Sequence, residues 1–122
     1  MTEYVVLLPG DEAAWQSRSP EEQAVVYQRH MEFAKRLEER GHRVTGGAEL
    51  TPSAAAKTVR GAGETFTVTD GPYAETAEQL TGFYTIESND LDDLVEVVGF
   101  LAGAEGAIEV RACKDMSESG SA

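Results

Sequence analysis

The order of elements predicted from the sequence is strand, helix, strand, hairpin, strand, helix, strand. It specifies an α+β domain: a ferredoxin-like (split βαβ) antiparallel sheet with two main helices on one face and an inserted β-hairpin. Three observations carry this. Ser19-Pro20-Glu21-Glu22 is a capping box with proline at the first helical position, so it opens one helix. Asp90-Leu91-Asp92-Asp93 opens another, with an aspartate cap and acidic residues in the first turn. Short apolar runs of strand length lie before, between and after the two. The 122 residues suit one domain, assigned to residues 1–115, and the small polar residues of 116–122 form a disordered tail.

Tyr4 to Leu8 is continuously apolar and ends at Pro9-Gly10, the pattern of a strand covered on both faces. The first helix runs to about Arg40, with Gly41 as its left-handed stop. Val26, His30, Phe33, Ala34 and Leu37 share one face of it, which sets a titratable group inside an apolar stripe. Val44 to Leu50 is a strand weakened by Gly46-Gly47, and His42 before it is a solvated loop residue. Lys57 to Arg60 and Thr65 to Thr69 form the hairpin about Gly61-Ala62-Gly63. Phe66, Val68 and Asp70 share parity, so a core-facing Phe66 and Val68 set Asp70 at the core's edge. Gly82 to Glu87 is the next strand. The second helix buries Leu91, Leu94, Val95, Val98 and Leu101 and stops at Gly103, and Ala107 to Ala112 closes the sheet. Bulky side chains stand on both parities of the central strands. The face away from the helices therefore calls for a cover, which a second copy packed sheet to sheet supplies.

Composition narrows the function. The formal charge is −12, from 22 acidic and 10 basic side chains, a field that repels phosphate backbones and anionic lipid. Neither direct nucleic-acid binding nor membrane association is expected. No apolar run reaches the roughly 18 residues of a membrane span, and the N-terminus lacks the pattern of a secretory signal. A cytoplasmic protein is expected. Cys113 alone makes neither a disulfide nor a thiolate zinc site, and two histidines make no metal centre, so no metal is expected.

Candidate chemistry concentrates in Asp70-Gly71-Pro72-Tyr73-Ala74-Glu75-Thr76-Ala77-Glu78, where three carboxylates surround a sharp bend. A carboxylate at the end of a strand suits acid–base work if burial or a cation tunes it. The same residues also suit structure: Asp70 accepting N–H bonds in its own turn, and Glu75 and Glu78 favouring a helix N-terminus. His30 is either a satisfied core side chain or an imidazole oriented by a carboxylate. Trp15 caps a pocket from the first loop or packs. Glu109 and Arg111 share the open face of the last strand, as a register pair at an interface or, for Arg111, as a clamp for an anionic group.

The motif Asp70-Gly71-Pro72-Tyr73-Ala74-Glu75-Thr76, with Glu78, Leu80, Gly82-Phe83-Tyr84 and Ile108-Glu109-Val110-Arg111, resembles the DGPF family of YCII-related proteins. Gly10-Asp11-Glu12-Ala13-Ala14-Trp15 and the capping box extend the resemblance over roughly residues 3–112. It implies a homodimer whose two sheets form a dimeric α+β barrel. It implies a cleft in which Asp70 and His30 are an acid–base pair. The residues then read as a small-molecule site where that pair exchanges a proton with a metabolite, Arg111, Glu75, Tyr73 and Trp15 contact the ligand, and no cofactor is expected. Relatives on this fold handle small cyclic or lactone-type metabolites, including a dehalogenase. Others stand beside or are fused to extracytoplasmic-function sigma factors, which implies the alternative of a non-catalytic regulatory module with a sigma-factor partner. Most members have no established function. Three positions depart from the pattern: Tyr73 replaces phenylalanine, Ala77 replaces lysine and Ala112 replaces proline. If the lysine held a substrate anion, Arg111 or Lys57 must take its place, or the activity is absent.

Overall fold

The computed structural model describes residues 1–115, so the expected disordered tail lies outside the described residues. The elements in chain order are β1 (Thr2–Asp11), α1 (Glu12–Ser17), α2 (Pro20–Glu39), β2 (Arg43–Glu49), a single 3₁₀ turn (Ser53–Ala55), β3 (Lys57–Ala62), β4 (Thr65–Asp70), β5 (Glu78–Ser88), α3 (Leu91–Glu105) and β6 (Glu109–Ala112). The main sheet has the order β2-β5-β1-β6 with every neighbouring pair antiparallel, and β3 and β4 form a separate two-stranded sheet. With the hairpin set aside, this is the predicted split-βαβ arrangement.

Local chemistry accounts for the helices. The Ser19 hydroxyl accepts from Glu22 N–H (3.1 Å) while the Glu22 carboxylate accepts from Ser19 N–H (2.8 Å), the reciprocal capping box. Those bonds, the Ser19 backbone N–H first, hold the Glu22 carboxyl below its usual range. Asp90 caps α3 through Asp93 N–H (3.1 Å). Gly41 ends α2 in the left-handed region at φ +83°, as expected. The expected stop of α3 at Gly103 is corrected. The helix continues through it, since glycine weakens a helix without ending it, and stops at Gly106, which takes φ +91°. The six residues of α1 are too few to show a period; their signal is Asp11, whose carboxylate accepts from Ala14 N–H at 3.1 Å.

Val6, Leu8 and Ile86 from the sheet meet Phe33 and Leu37 of α2 and Leu94, Val97, Val98 and Leu101 of α3 in one apolar cluster. Within the predicted stripes Ala34, Leu91 and Val95 are exposed instead, because they sit at the margin of faces narrower than the pattern suggested. The hairpin also departs from expectation. Val59, Val68 and Phe66 share one face of it, and Phe66 (69%) and Val68 (52%) are exposed. Among the described residues the hairpin pairs only with itself, so Asp70 does not stand at the edge of the core.

His42 is buried rather than solvated. Its ring bonds the Ser88 hydroxyl through Nδ1 (2.8 Å) and the Asp93 carboxylate through Nε2 (2.7 Å), and Arg40 also binds Asp93. The sequence after a helix-stopping glycine reads as a loop. Here the chain instead turns back under α3, and one imidazole ties the end of α2, the end of β5 and the first turn of α3 together.

On the helix-free side of the sheet, parity places Val5, Leu7, Phe83 and Thr85 in the centre, all partly exposed, with Glu109 and Arg111 beside them. No helix among the described residues is long and apolar enough to cross a membrane.

Candidate functional site

A cleft of about 950 Å³ opens where α1, the first half of α2, the C-terminal ends of β1 and β2, the start of β5 and the end of α3 converge. Its floor is built by His30, Tyr84 and Glu105. The helical stripe of α2 turns His30 toward the sheet, β5 parity turns Tyr84 toward α2, and α3 ends at Glu105 beside them. His30 Nε2 lies 2.5 Å from Glu105 Oε1, and Nδ1 lies 2.7 Å from the Tyr84 hydroxyl. An ionised carboxylate only accepts, so Nε2 carries the proton and donates it to Glu105. In the neutral ring Nδ1 is then bare and accepts from the Tyr84 O–H. The His30 and Tyr84 rings stack with centroids 5.9 Å apart, and Phe33 packs on Tyr84 at 5.4 Å. Burial, and then the charge of Glu105, push the Tyr84 phenol above its ordinary range, so it is neutral and a proton donor at physiological pH.

The wall is aromatic. Trp15 meets Tyr27 edge to face with centroids 5.6 Å apart. The Tyr27 hydroxyl donates to Glu49 (2.9 and 3.1 Å), and that bond first, then burial, pushes the phenol above its ordinary range and so opposes its ionisation. Gln23 fixes α1 against α2 by donating to the Trp15 carbonyl at 3.1 Å. Glu12 holds the far rim by accepting from Ser53 N–H (2.6 Å) and the Ser53 hydroxyl.

The residues singled out in the sequence fall in three places. His30 and Trp15 line this cleft. Asp70 and Glu75 line a separate, more open depression of about 370 Å³ with Ser53, Gly71 and Gln79. The carboxylate on His30 is therefore Glu105, while Asp70, its side chain 78% exposed, is ion-paired with Lys57. The bend after Asp70 is stitched to β3 by Gly71 N–H to the Ala56 carbonyl (2.7 Å) and the Thr58 hydroxyl to the Gly71 carbonyl (2.8 Å). No helix follows the bend. Glu78 opens β5, so a helix-terminus role for Glu75 and Glu78 is ruled out. Tyr73 is 83% exposed at the turn and accepts from Arg60 only through its backbone carbonyl (3.4 Å). Arg111 is on the open sheet face, 2.5 Å from Glu109. Neither Arg111 nor Lys57 lines the cleft, and the cation that does is Arg18.

Glu105 and Tyr84 were not picked out from the sequence as members of the site. A carboxylate in the last turn of a helix opposes the helix dipole, which is the signal Glu105 carried. Tyr84 stood inside the strand pattern and read as packing. Among the described residues no group of side chains has the arrangement of a metal site.

Comparison with known proteins agrees with this architecture. The family profile described as YCII-related domain matches residues 2–117. An uncharacterised protein of Rhizobium meliloti (strain 1021) is 39% identical over 112 residues, covering 88% of this chain and 89% of the relative.

Proposed function

The chain belongs to the YCII-related domain family, and from that premise we propose that it is an acid–base enzyme acting on a small metabolite bound beside His30. The observation that carries the reading is the chain of bonds Glu105–His30–Tyr84 at the floor of the cleft. Glu105 takes the place foreseen for Asp70. It fixes the tautomer of His30 and stabilises the imidazolium that forms when the ring takes a proton, the division of labour seen wherever a carboxylate backs a catalytic histidine.

In this mechanism the Tyr84 oxygen abstracts a proton from the metabolite as its own hydroxyl proton passes to His30 Nδ1. The charge left on the metabolite is then quenched by the reverse transfer at a second atom. Concerted transfer suits a phenol held neutral by its surroundings, because a free phenolate is never required. No organic cofactor enters these steps. The test is exchange of solvent deuterium into metabolites that bind the cleft, with wild type compared against His30→Gln and Tyr84→Phe. The reading as a docking module for a sigma factor rests on family resemblance alone.

A second copy covering the open sheet face is part of the same proposal, since Val5, Leu7 and Phe83 are apolar and partly exposed there. Two chains of charge −12 repel, so sedimentation equilibrium is expected to give a dimer that tightens as salt rises. A monomer at every salt concentration and at about 100 μM chain, a typical working concentration for weak dimers, contradicts it.

A further inference from the structure

We propose that the cleft selects organic cations, amines with a flat apolar body, over carboxylates; this rests on the reading that the cleft beside His30 is the ligand site. Five carboxylates line it: Asp11, Glu12, Glu49, Glu78 and Glu105. One of them, Glu105, is paired with His30. Among the described residues Asp11, Glu12, Glu49 and Glu78 make no ion pair. Three of them are met only by neutral donors: the Ala14 amide, the Ser53 amide and hydroxyl, and the Tyr27 hydroxyl.

The lining cation, Arg18, is not spent on a carboxylate either. Its guanidinium sits over the Trp15 ring, 5.6 Å from the centroid. The aromatic wall thus already holds a cation by its π face, the same attraction an ammonium group on a ligand would use. The field also acts on the tyrosines, since Glu49 and Glu105 each oppose ionisation of a phenol in the cleft. A carboxylate ligand entering here meets five carboxylates against the one guanidinium of Arg18, whereas an ammonium finds the exposed Glu49 and Glu78 and the aromatic rings in the same lining. Selectivity then comes from rejecting anions as much as from holding cations.

Trp15 is the single tryptophan of the chain and a fluorescence reporter inside the cleft. Phenethylamine, 2-phenylethanol and 3-phenylpropionate share one ring and differ in charge, and each is titrated while Trp15 emission is followed. The amine is expected to bind about tenfold more tightly than the carboxylate at low salt, a difference that shrinks in 0.5 M salt, where the screening length is only about 4 Å. It also shrinks in the Glu49→Gln/Glu78→Gln double variant, whose sites are solvent-exposed and whose fold is checked by its thermal melt. Equal or tighter binding of 3-phenylpropionate overturns the cation inference and leaves the cleft standing as a ligand site. Undiminished amine preference in the double variant overturns it as well. Silence of Trp15 toward all three compounds at millimolar concentration overturns both the inference and the ligand-site reading beneath it.

Discussion

His30→Gln is expected to slow deuterium exchange into a bound metabolite by about 10²- to 10⁴-fold, the usual contribution of a positioned acid–base group. The loss follows from geometry. Glutamine has no nitrogen that accepts the Tyr84 proton and remains basic, so the phenol keeps its proton and the relay stops. Tyr84→Phe is expected to lose as much, and the double variant no more than either alone, because the two side chains act as one unit. Glu105→Gln is expected to lose less. Its amide oxygen still accepts from Nε2, but it supplies no charge to hold the imidazolium. All three side chains are at the rim of the core, His30 and Glu105 with 20% and 19% of the side chain exposed, so the fold is expected to survive each change. Wild-type exchange rates in His30→Gln contradict the relay.

His42→Ala is expected to cost about 3 kcal/mol of stability, read from urea unfolding, since it leaves a cavity and strips partners from Ser88 and Asp93. The same clasp predicts an acid limb. The hydrogen bond from His42 first, and Arg40 next, hold the Asp93 carboxyl below its usual range. A group whose folded pKa is depressed contributes stability that is fully present above its unfolded pKa and is lost as pH falls through the folded value. Wild type is therefore expected to lose stability progressively below about pH 4, the range where a free aspartate protonates. Asp93→Asn is expected to be less stable at neutral pH and flatter through that range. An acid limb of Asp93→Asn parallel to wild type contradicts the assignment.

The fold was legible because its strongest signals are local. Ser19 to Glu22 and Asp90 to Asp93 announce helices within four residues, and the alternation through Lys57 to Arg60 and Thr65 to Thr69 announces the hairpin. The site was legible only in part. His30 stood out because an imidazole inside an apolar stripe is unusual. The carboxylate it meets lies 75 residues away, and no local pattern connects the last turn of one helix to the middle of another. Asp70 drew notice from its compact motif, yet the hairpin that bears it turns away from the core and pairs its carboxylate with Lys57. His42 misled in the opposite sense. A histidine after a stop glycine looks solvated until the chain is seen to fold back beneath α3.

The relay is tested most directly by the tautomer of the His30 ring. It is read from long-range ¹H–¹⁵N correlations in imidazole-labelled protein at a pH where the ring is neutral. The arrangement Glu105–His30–Tyr84 predicts the proton on Nε2 with Nδ1 unprotonated, and a change in both nitrogen shifts in Glu105→Gln and in Tyr84→Phe. A proton on Nδ1 in the neutral ring, or nitrogen shifts that neither variant moves, would contradict it.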